Sequence, residues 1–355
     1  MQVTESMKEA MLYHSLDNRK VKCDLCGWRC TIPEGKTGFC RVRKNLGGKL
    51  YSLVYAKVIA ANADPIEKKP LSHFNPGSLV FSVATNGCNF RCNFCQNWNI
   101  SHSDEIQGED LPPEDVTRLA KRSGCQGISY TYTEPTIFFE YAYDCSKLAH
   151  ESELFNTFVT NGYMTVEAVK TISPYLDAAT VDFKGGGDPD FYKKFSSVAR
   201  VQPIYDSLKE MKANKIHVEI TNLVVPRIGD SLDRIKELSK WIMENLGSEV
   251  PFHLLRFHPD YVLTDLPATP QSTLEKAREI AKSEGLRYVY TGNMPGHEGE
   301  NTYCPNCGEL LVSRYGFSIE SWKIKDDMKC PKCGETIAIK GKYWKERTPR
   351  SAMFY

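Results

Sequence analysis

From about residue 78 onward the chain alternates β-branched and aromatic runs with amphipathic helical stretches. Strand-like runs at 78–85, 127–133, 157–160, 178–183, 217–225 and 252–258 are each followed by helical pattern. The helices fall at 113–122, 136–149, from Thr165, at 204–213, 232–246 and 272–284, and 288–290 reads as a further short strand. Consecutive parallel strands need a long crossover, normally a helix, so repeated βα units imply an α/β fold with a parallel sheet and helices packed on it. In such folds ligands gather at the carboxyl ends of the strands.

The first of those strand ends carries Cys88-x3-Cys92-x2-Cys95, directly after the apolar run Leu79 to Ala84. Thiolate is a soft ligand that selects iron–sulfur clusters, zinc or copper(I). A closed zinc site wants four ligands, and no fourth cysteine follows until Cys125. Three thiolates therefore point to a cluster with one iron left open; the alternative is a zinc knuckle completed by a distant residue. Cys304-Pro-x-Cys307-Gly and Cys330-Pro-x-Cys333-Gly form two matching turns, a four-thiolate set suited to structural zinc, with a rubredoxin-like iron as the alternative. Cys23, Cys26, Cys30 and Cys40 make a third set. Their spacing admits zinc or a second cluster, and zinc is favoured because so short a leader has few apolar residues for a core of its own. Cys125 and Cys145 stand alone and read as buried, inert thiols.

Composition narrows the function. Lys and Arg total 45 against 44 Asp and Glu, a net charge of +1 that gives no global pull toward nucleic acid or membrane. No apolar run reaches the length needed to span a bilayer, and residues 1–20 lack a signal-peptide core. Clustered thiols without an export signal suggest metal ligation in a reducing cytoplasm. The organisation expected is a Cys-rich segment at 1–77, a core at 78–299 and a zinc-ribbon-like module at 300–355. The prolines Pro65, Pro70 and Pro76 mark an irregular linker between the first two.

Cys88-x3-Cys92-x-Phe94-Cys95 resembles the signature of the radical S-adenosylmethionine (SAM) superfamily. Its surroundings, residues 86–97, look like the pyruvate formate-lyase activating enzyme branch, and most of all like the AmmeMemoRadiSam system radical SAM enzyme family. The resemblance covers nearly the whole chain. It implies a partial (β/α)6 TIM-like barrel, a [4Fe–4S] cluster on Cys88, Cys92 and Cys95, and SAM on the fourth iron. It further implies a low-potential electron donor and hydrogen abstraction from a substrate, which in this branch is a protein or peptide. Glu134, in Tyr132-Thr133-Glu134-Pro135, stands where the superfamily often has Gly-Gly-Glu and implies an acceptor for the SAM amino group. Asp182-Phe183-Lys184 resembles the Asp-Leu-Lys found near the methionyl group. Asn161 lies in a Thr-Asn-Gly turn also seen in the family, and His258 resembles the histidine of Leu-Leu-Pro-Tyr-His. Phe94 is implied near the adenine. Where activating enzymes often carry an Asp two residues before the Asn, this chain has Val159. Asn222 and Arg256 also point to the strand-end mouth if the strand phase is right.

Two alternatives use RNA. The last 35 residues hold nine Lys or Arg against four Asp or Glu, interleaved with Trp322, Tyr343, Trp344, Phe354 and Tyr355. That composition suits either a polyanion dock or the solvated face of a ribbon. It keeps open radical chemistry on RNA, or a zinc-stabilised RNA-binding module without catalysis, although near-neutral overall charge does not favour nucleic acid.

Overall fold

The computed structural model describes residues 7–345. Among the described residues an eight-stranded sheet forms the centre. Its strands are β1 (Ala60–Pro65), β2 (Leu79–Ala84), β3 (Gly127–Tyr130), β4 (Phe155–Thr160), β5 (Ala178–Lys184), β6 (His217–Val224), β7 (Phe252–Arg256) and β8 (Val289–Gly292). Spatial order follows chain order from β1 at one edge to β8 at the other. Strands β2 to β8 pair in parallel, with Val83 opposite Tyr130 and Tyr130 opposite Phe158, while β1 pairs antiparallel with β2. The 288–290 run thus joins the same ladder. Strands β2 and β3 are buried at every position, as a parallel sheet covered on both faces requires.

The crossovers carry α1 (Pro113–Arg122), α2 (Phe139–Glu151), α3 (Val166–Ile172), α4 (Pro189–Phe195), α5 (Gln202–Ala213), α6 (Leu232–Asn245) and α7 (Gln271–Ser283). Thr165 caps α3 by accepting from Ala168 N at 3.2 Å, and Asp188 caps α4 through the Asp190 and Phe191 amides. Helix α4 was not legible as a separate element. It is seven residues long and its apolar face is the short Phe191, Tyr192, Phe195 set.

Side chains alternate across a strand, so one face of the sheet can be followed residue by residue. It carries Thr180, Asp182 and Lys184 on β5, Glu219, Thr221 and Leu223 on β6, and His253 and Leu255 on β7. The start of this face is filled by the stretch expected to be a linker. Residues 66–74 open with a single 3-10 turn at Ile66–Lys68 and are otherwise irregular, and all but Lys68 and Pro70 are buried. Thr180 Oγ1 donates to Lys69 O at 2.5 Å, Ser72 N and His73 N donate to Glu219 at 3.0 and 2.7 Å, and His73 Nε2 lies 2.6 Å from Tyr290 Oη. The prolines forbid regular pairing, and side chains of β5 and β6 supply backbone partners instead, while Tyr290 of β8 meets the His73 ring.

The leader forms small antiparallel sheets, among them Tyr13–Ser15, Val21–Cys23 and Thr31–Ile32, and Arg43–Leu46 with Lys49–Ser52. Among the described residues it has no separate core. Val21, Leu25, Val42 and Leu50 are buried in the same apolar cluster as Phe81, Ile128 and Phe158 of the central sheet.

At the other end, β9 (Thr302–Tyr303), β10 (Leu310–Tyr315) and β11 (Ser318–Trp322) make an antiparallel sheet packed with Tyr288 and Tyr290. It clasps the 66–76 stretch. Lys340 bridges Phe74, Arg314 Nη2 donates to Ser72 O at 3.4 Å, and Trp344 N donates to Pro76 O at 2.8 Å.

Candidate active site

Cys88, Cys92 and Cys95 follow β2 in a loop held by other elements' backbones. Arg91 N donates to Ser196 O at 3.0 Å, Asn93 N to Phe195 O at 2.9 Å, and Trp28 Nε1 to Asn89 O at 2.7 Å. The three cysteines border a cavity of about 340 Å³ at the carboxyl ends of the strands. Each sulfur has a polar neighbour. Phe90 N donates to Cys88 Sγ at 3.3 Å, Cys92 Sγ lies 3.4 Å from Ser196 Oγ, and Cys95 Sγ lies 3.2 Å from Ser101 Oγ. Burial drives the Cys88 thiol well above its ordinary range and Cys92 up to about 11. A metal or cluster that takes these groups as thiolates must offset that penalty. Three convergent soft donors with hydrogen-bond donors behind them fit a cluster that leaves one iron free.

Opposite the thiols stands Lys184, whose Nζ is 3.5 Å from Asp182 Oδ2. Thr221 in turn donates to Asp182 Oδ1. Burial opposes the charge on Lys184, but Asp182 and then Cys92, Cys95 and Cys88 outweigh it and hold the lysine above its usual value. The cation therefore faces the cysteine loop across the cavity.

Glu134 borders the same space and is also built into the sheet. Its Oε1 accepts from Thr136 N at 3.0 Å, Thr136 Oγ1 at 2.5 Å and Thr160 Oγ1 at 2.7 Å, while Oε2 accepts from Asn161 N at 2.8 Å. It is thus an N-cap whose Oε2 keeps an acceptor position to spare. The glycines of a Gly-Gly-Glu motif are replaced by backbone strain. Tyr132 adopts φ 64°, a left-handed conformation that costs roughly 1–2 kcal/mol for a residue with a Cβ. Asn97 Nδ2 pins it there by donating to Tyr132 O at 2.7 Å, and its hydroxyl donates to Asp64.

Asn161 Nδ2 donates to Asn89 Oδ1 at 2.7 Å and lies 3.9 Å from Cys88 Sγ, tying β4 to the cysteine loop. Phe94 borders the cavity and packs on Phe191, with ring centroids 5.7 Å apart. Val159 and Arg256 are also on the wall. His258 is exposed at the rim, not on the strand. Strand β7 stops at Arg256 because Thr269 takes over: its Oγ1 accepts from Phe257 N at 2.8 Å and donates to Val224 O of β6 at 2.7 Å. Asn222 is on the opposite strand phase from the cavity residues Thr221 and Leu223, and accepts from Gly186 N at 2.8 Å instead.

The residues missed by sequence reading are Lys68 and Lys69, on the cavity wall. Lys69 Nζ is 2.8 Å from Asp64 and 4.5 Å from the Tyr132 ring centroid, and burial pulls it down to about 8 despite Asp64. The signal was a paired cation in a stretch taken for an irregular linker.

The other cysteines divide. Cys304 and Cys333 have Sγ atoms 3.5 Å apart, and Cys307 and Cys330 3.7 Å. All four lie within 4.8 Å of one another, near the ~3.8 Å edge of a tetrahedron with 2.3 Å metal–sulfur bonds. The knuckles are twins: Gly308 N and Gly334 N each return to the first cysteine's carbonyl, at 2.9 and 3.0 Å, with φ of 72° and 78°. Cys125 and Cys145 are buried, and burial holds both thiols neutral. The leader set, Cys23, Cys26, Cys30 and Cys40, is mostly buried and all four thiols are free.

Residues 82–242 match the family profile of the Radical SAM superfamily. An uncharacterized protein of Methanocaldococcus jannaschii is 49% identical over 94% of this chain and 99% of its own length. The pyruvate formate-lyase-activating enzyme of Clostridium pasteurianum is 26% identical over 55% of this chain and 87% of its own. A radical SAM methyltransferase structure from Sphaerobacter thermophilus overlaps 62% of this chain and 70% of its own, with 16% identity and a TM-score of 0.48. With three thiols converging on a strand-end cavity and the profile spanning that loop, the chain is an enzyme of the radical SAM superfamily.

Proposed function

We propose that Cys88, Cys92 and Cys95 hold a [4Fe–4S] cluster and that SAM binds its open iron within the cavity, on a partly closed (β/α)6-type core. When bound, this pair supplies the superfamily's chemistry, reductive cleavage of the sulfonium to a 5′-deoxyadenosyl radical, here for hydrogen abstraction from a protein or peptide. The chain's own residues orient and shield the cofactor. Glu134 Oε2 accepts from the SAM amino group, and Lys184 meets the carboxylate, with Asp182 and Thr221 aiming the lysine. Asn161 fixes the cysteine loop against β4. Phe94 covers the adenine side, and His258 lines the rim. The observation that carries this reading is Lys184 and Glu134 bordering one cavity with the three thiols.

The activating-enzyme relative acts, by its name, on another enzyme, which supports a macromolecular substrate here. Val159 replaces a family Asp on the wall, so the substrate and its contacts differ in detail. A low-potential donor supplies the electron, and a reducing cytoplasm suits the free thiols. The segment at 300–355 takes one zinc on Cys304, Cys307, Cys330 and Cys333, and the 1–77 leader and the 78–299 core complete the division of the chain.

RNA is less well supported. As far as Lys345, the basic, aromatic segment lies at the start of the strands, with Lys340 Nζ 3.5 Å from Lys215 O and Trp344 on Pro76. That is the end away from the cysteine loop; Phe354 and Tyr355 lie outside the described residues.

The test is an anaerobic, reduced assay with SAM and deuterium-labelled candidate proteins or peptides. Deuterium in 5′-deoxyadenosine supports the reading. Zinc in place of iron at the triad, or label transfer only from RNA, overturns it.

A further inference from the structure

The leader cysteines were expected to hold zinc because the leader needed help to fold, and the structure removes that reason. Its apolar residues are buried in the core of the central sheet, and its edges are tied down by protein contacts. Gly27 N donates to Tyr163 O at 2.9 Å, Cys26 bridges Met164, and Arg43 pairs with Glu140 at 2.9 Å.

Thiol spacing separates the two metals. A single tetrahedral ion draws its four sulfurs together, as at Cys304, Cys307, Cys330 and Cys333. In a cubane cluster each thiolate bonds a different iron, and the sulfurs stand farther apart. Among the described residues no three of Cys23, Cys26, Cys30 and Cys40 bring their sulfurs within 4.8 Å of one another, and neither do Cys88, Cys92 and Cys95. Yet the leader cysteines are drawn inward together: Cys23 N donates to Cys30 O at 2.9 Å, and Cys23, Cys26 and Cys40 are buried. Among the described residues, then, only the knuckles form a tight tetrahedral set.

A second observation concerns charge. Arg43 is 1% exposed, and its Nε and Nη1 have no hydrogen-bond partner among the described residues. Burial opposes its charge, but Glu140 and then Cys23, Cys40 and Cys26 support it. Arg43 pairs with Glu140 yet keeps two buried N–H groups unused three residues from Cys40, and an acceptor held by the leader thiols would engage them. Bridging sulfides and thiolates of an iron–sulfur cluster are such acceptors, and a nearby cation tunes their potential.

We infer that Cys23, Cys26, Cys30 and Cys40 bind a second iron–sulfur cluster of the [4Fe–4S] class, with Arg43 as its buried counter-cation. It would sit close to the first. A Cβ built on Gly87, the neighbour of Cys88, would be 3.2 Å from Cys40 O, and Arg91 Nη2 donates to Phe39 O at 2.9 Å while Nη1 donates to Cys88 O at 2.7 Å.

The experiment uses the full chain with Cys88, Cys92 and Cys95 all changed to Ala, reconstituted anaerobically with ferrous iron and sulfide. Acid-labile sulfide decides, because a single-metal knuckle contributes none. The expected result is about four sulfides per folded chain and an EPR signal after dithionite, as a cubane requires. Adding Cys26→Ala removes both. A folded triple variant that carries a second zinc and no sulfide overturns the inference and leaves the triad's assignment untouched. If the triple variant does not fold, wild type serves: two reduced-cluster signals, of which SAM perturbs one, support the site, and a single SAM-responsive signal overturns it. Arg43→Met should shift only the SAM-insensitive cluster to a more negative potential; an unmoved potential removes Arg43 from the site.

Discussion

The two ends of one sheet face use buried charge in opposite ways. At the strand starts, Glu219 is fully buried and accepts from Ser72 N, His73 N, His217 Nε2 at 3.2 Å and His253 Nε2 at 2.8 Å. Burial alone would raise its pKa, but His217 and His253 win and hold it well below the carboxylate range. His73 is the neutral member, lowered to about 4 by burial. Every partner is internal, and the region is closed. At the strand ends, Lys184, Lys69 and Glu134 border open space with three thiols, of which burial holds Cys88 and Cys92 high in pKa. Polar groups that satisfy one another are architecture. Polar groups that converge on a cavity with capacity left over await a ligand.

That contrast is open to attack. The largest effect belongs to Cys92→Ala, which is expected to reduce SAM cleavage to background while metal content at Cys304, Cys307, Cys330 and Cys333 and the far-UV circular dichroism stay as in wild type. Retained cleavage would break the assignment of the open end. At the closed end the expected loss is in stability and not in chemistry. Glu219→Leu strands two histidines and two amides and should cost about 3–5 kcal/mol in denaturant unfolding, with SAM cleavage per folded molecule unchanged.

A pH titration sharpens the same point. A histidine whose folded pKa lies below its unfolded value of roughly 6.5 stabilises fully above that pH. Its contribution then falls as pH drops from about 6.5 to about 4, by about 3 kcal/mol for His73. Glu219, depressed on folding, adds a further loss below the unfolded carboxylate pKa. A flat unfolding free energy across that window would mean the closed end is not buried as described. Lys184→Met should weaken SAM binding by about 10- to 100-fold, the value of roughly 1.5–3 kcal/mol for a charge-assisted contact, with little change in stability; equilibrium dialysis under anaerobic conditions reads it. Least of all, Tyr132→Val should be less stable than Tyr132→Gly by about 1–2 kcal/mol, because only glycine adopts the left-handed backbone without penalty.

Much of this was legible in the sequence, for a physical reason. Period-2 and period-3.6 patterns survive wherever a segment is buried on a defined face, and that covers all six expected crossovers and the strand ends they feed. Cysteine spacing carried the triad and the knuckles, since thiolate chemistry leaves few alternatives. What escaped was long-range. Residues 66–74 have no periodicity, so nothing local shows that prolines and lysines run under the sheet face to meet Glu219 and Tyr290. Asn222 was placed on the wrong phase because its strand, buried on both faces, lacks an alternation to fix the register. The strand was read two residues too far, through His258, because Thr269, which ends it, arrives from eleven residues downstream of that histidine. The leader's packing was misjudged by composition alone: apolar residues too few for a private core suffice when shared.

The clasp of the C-terminal sheet on residues 66–76 couples distant events. Ala338 O is 2.9 Å from His73 Nδ1, and Lys340 N donates to His73 O at 2.8 Å. A chelator that empties the outer knuckles would therefore slacken the strap under the lysine pair on the cavity wall, more than a domain's width of sequence away. Trimming the chain before Cys304 to obtain a minimal catalytic fragment would uncork the base of the very cup it meant to isolate.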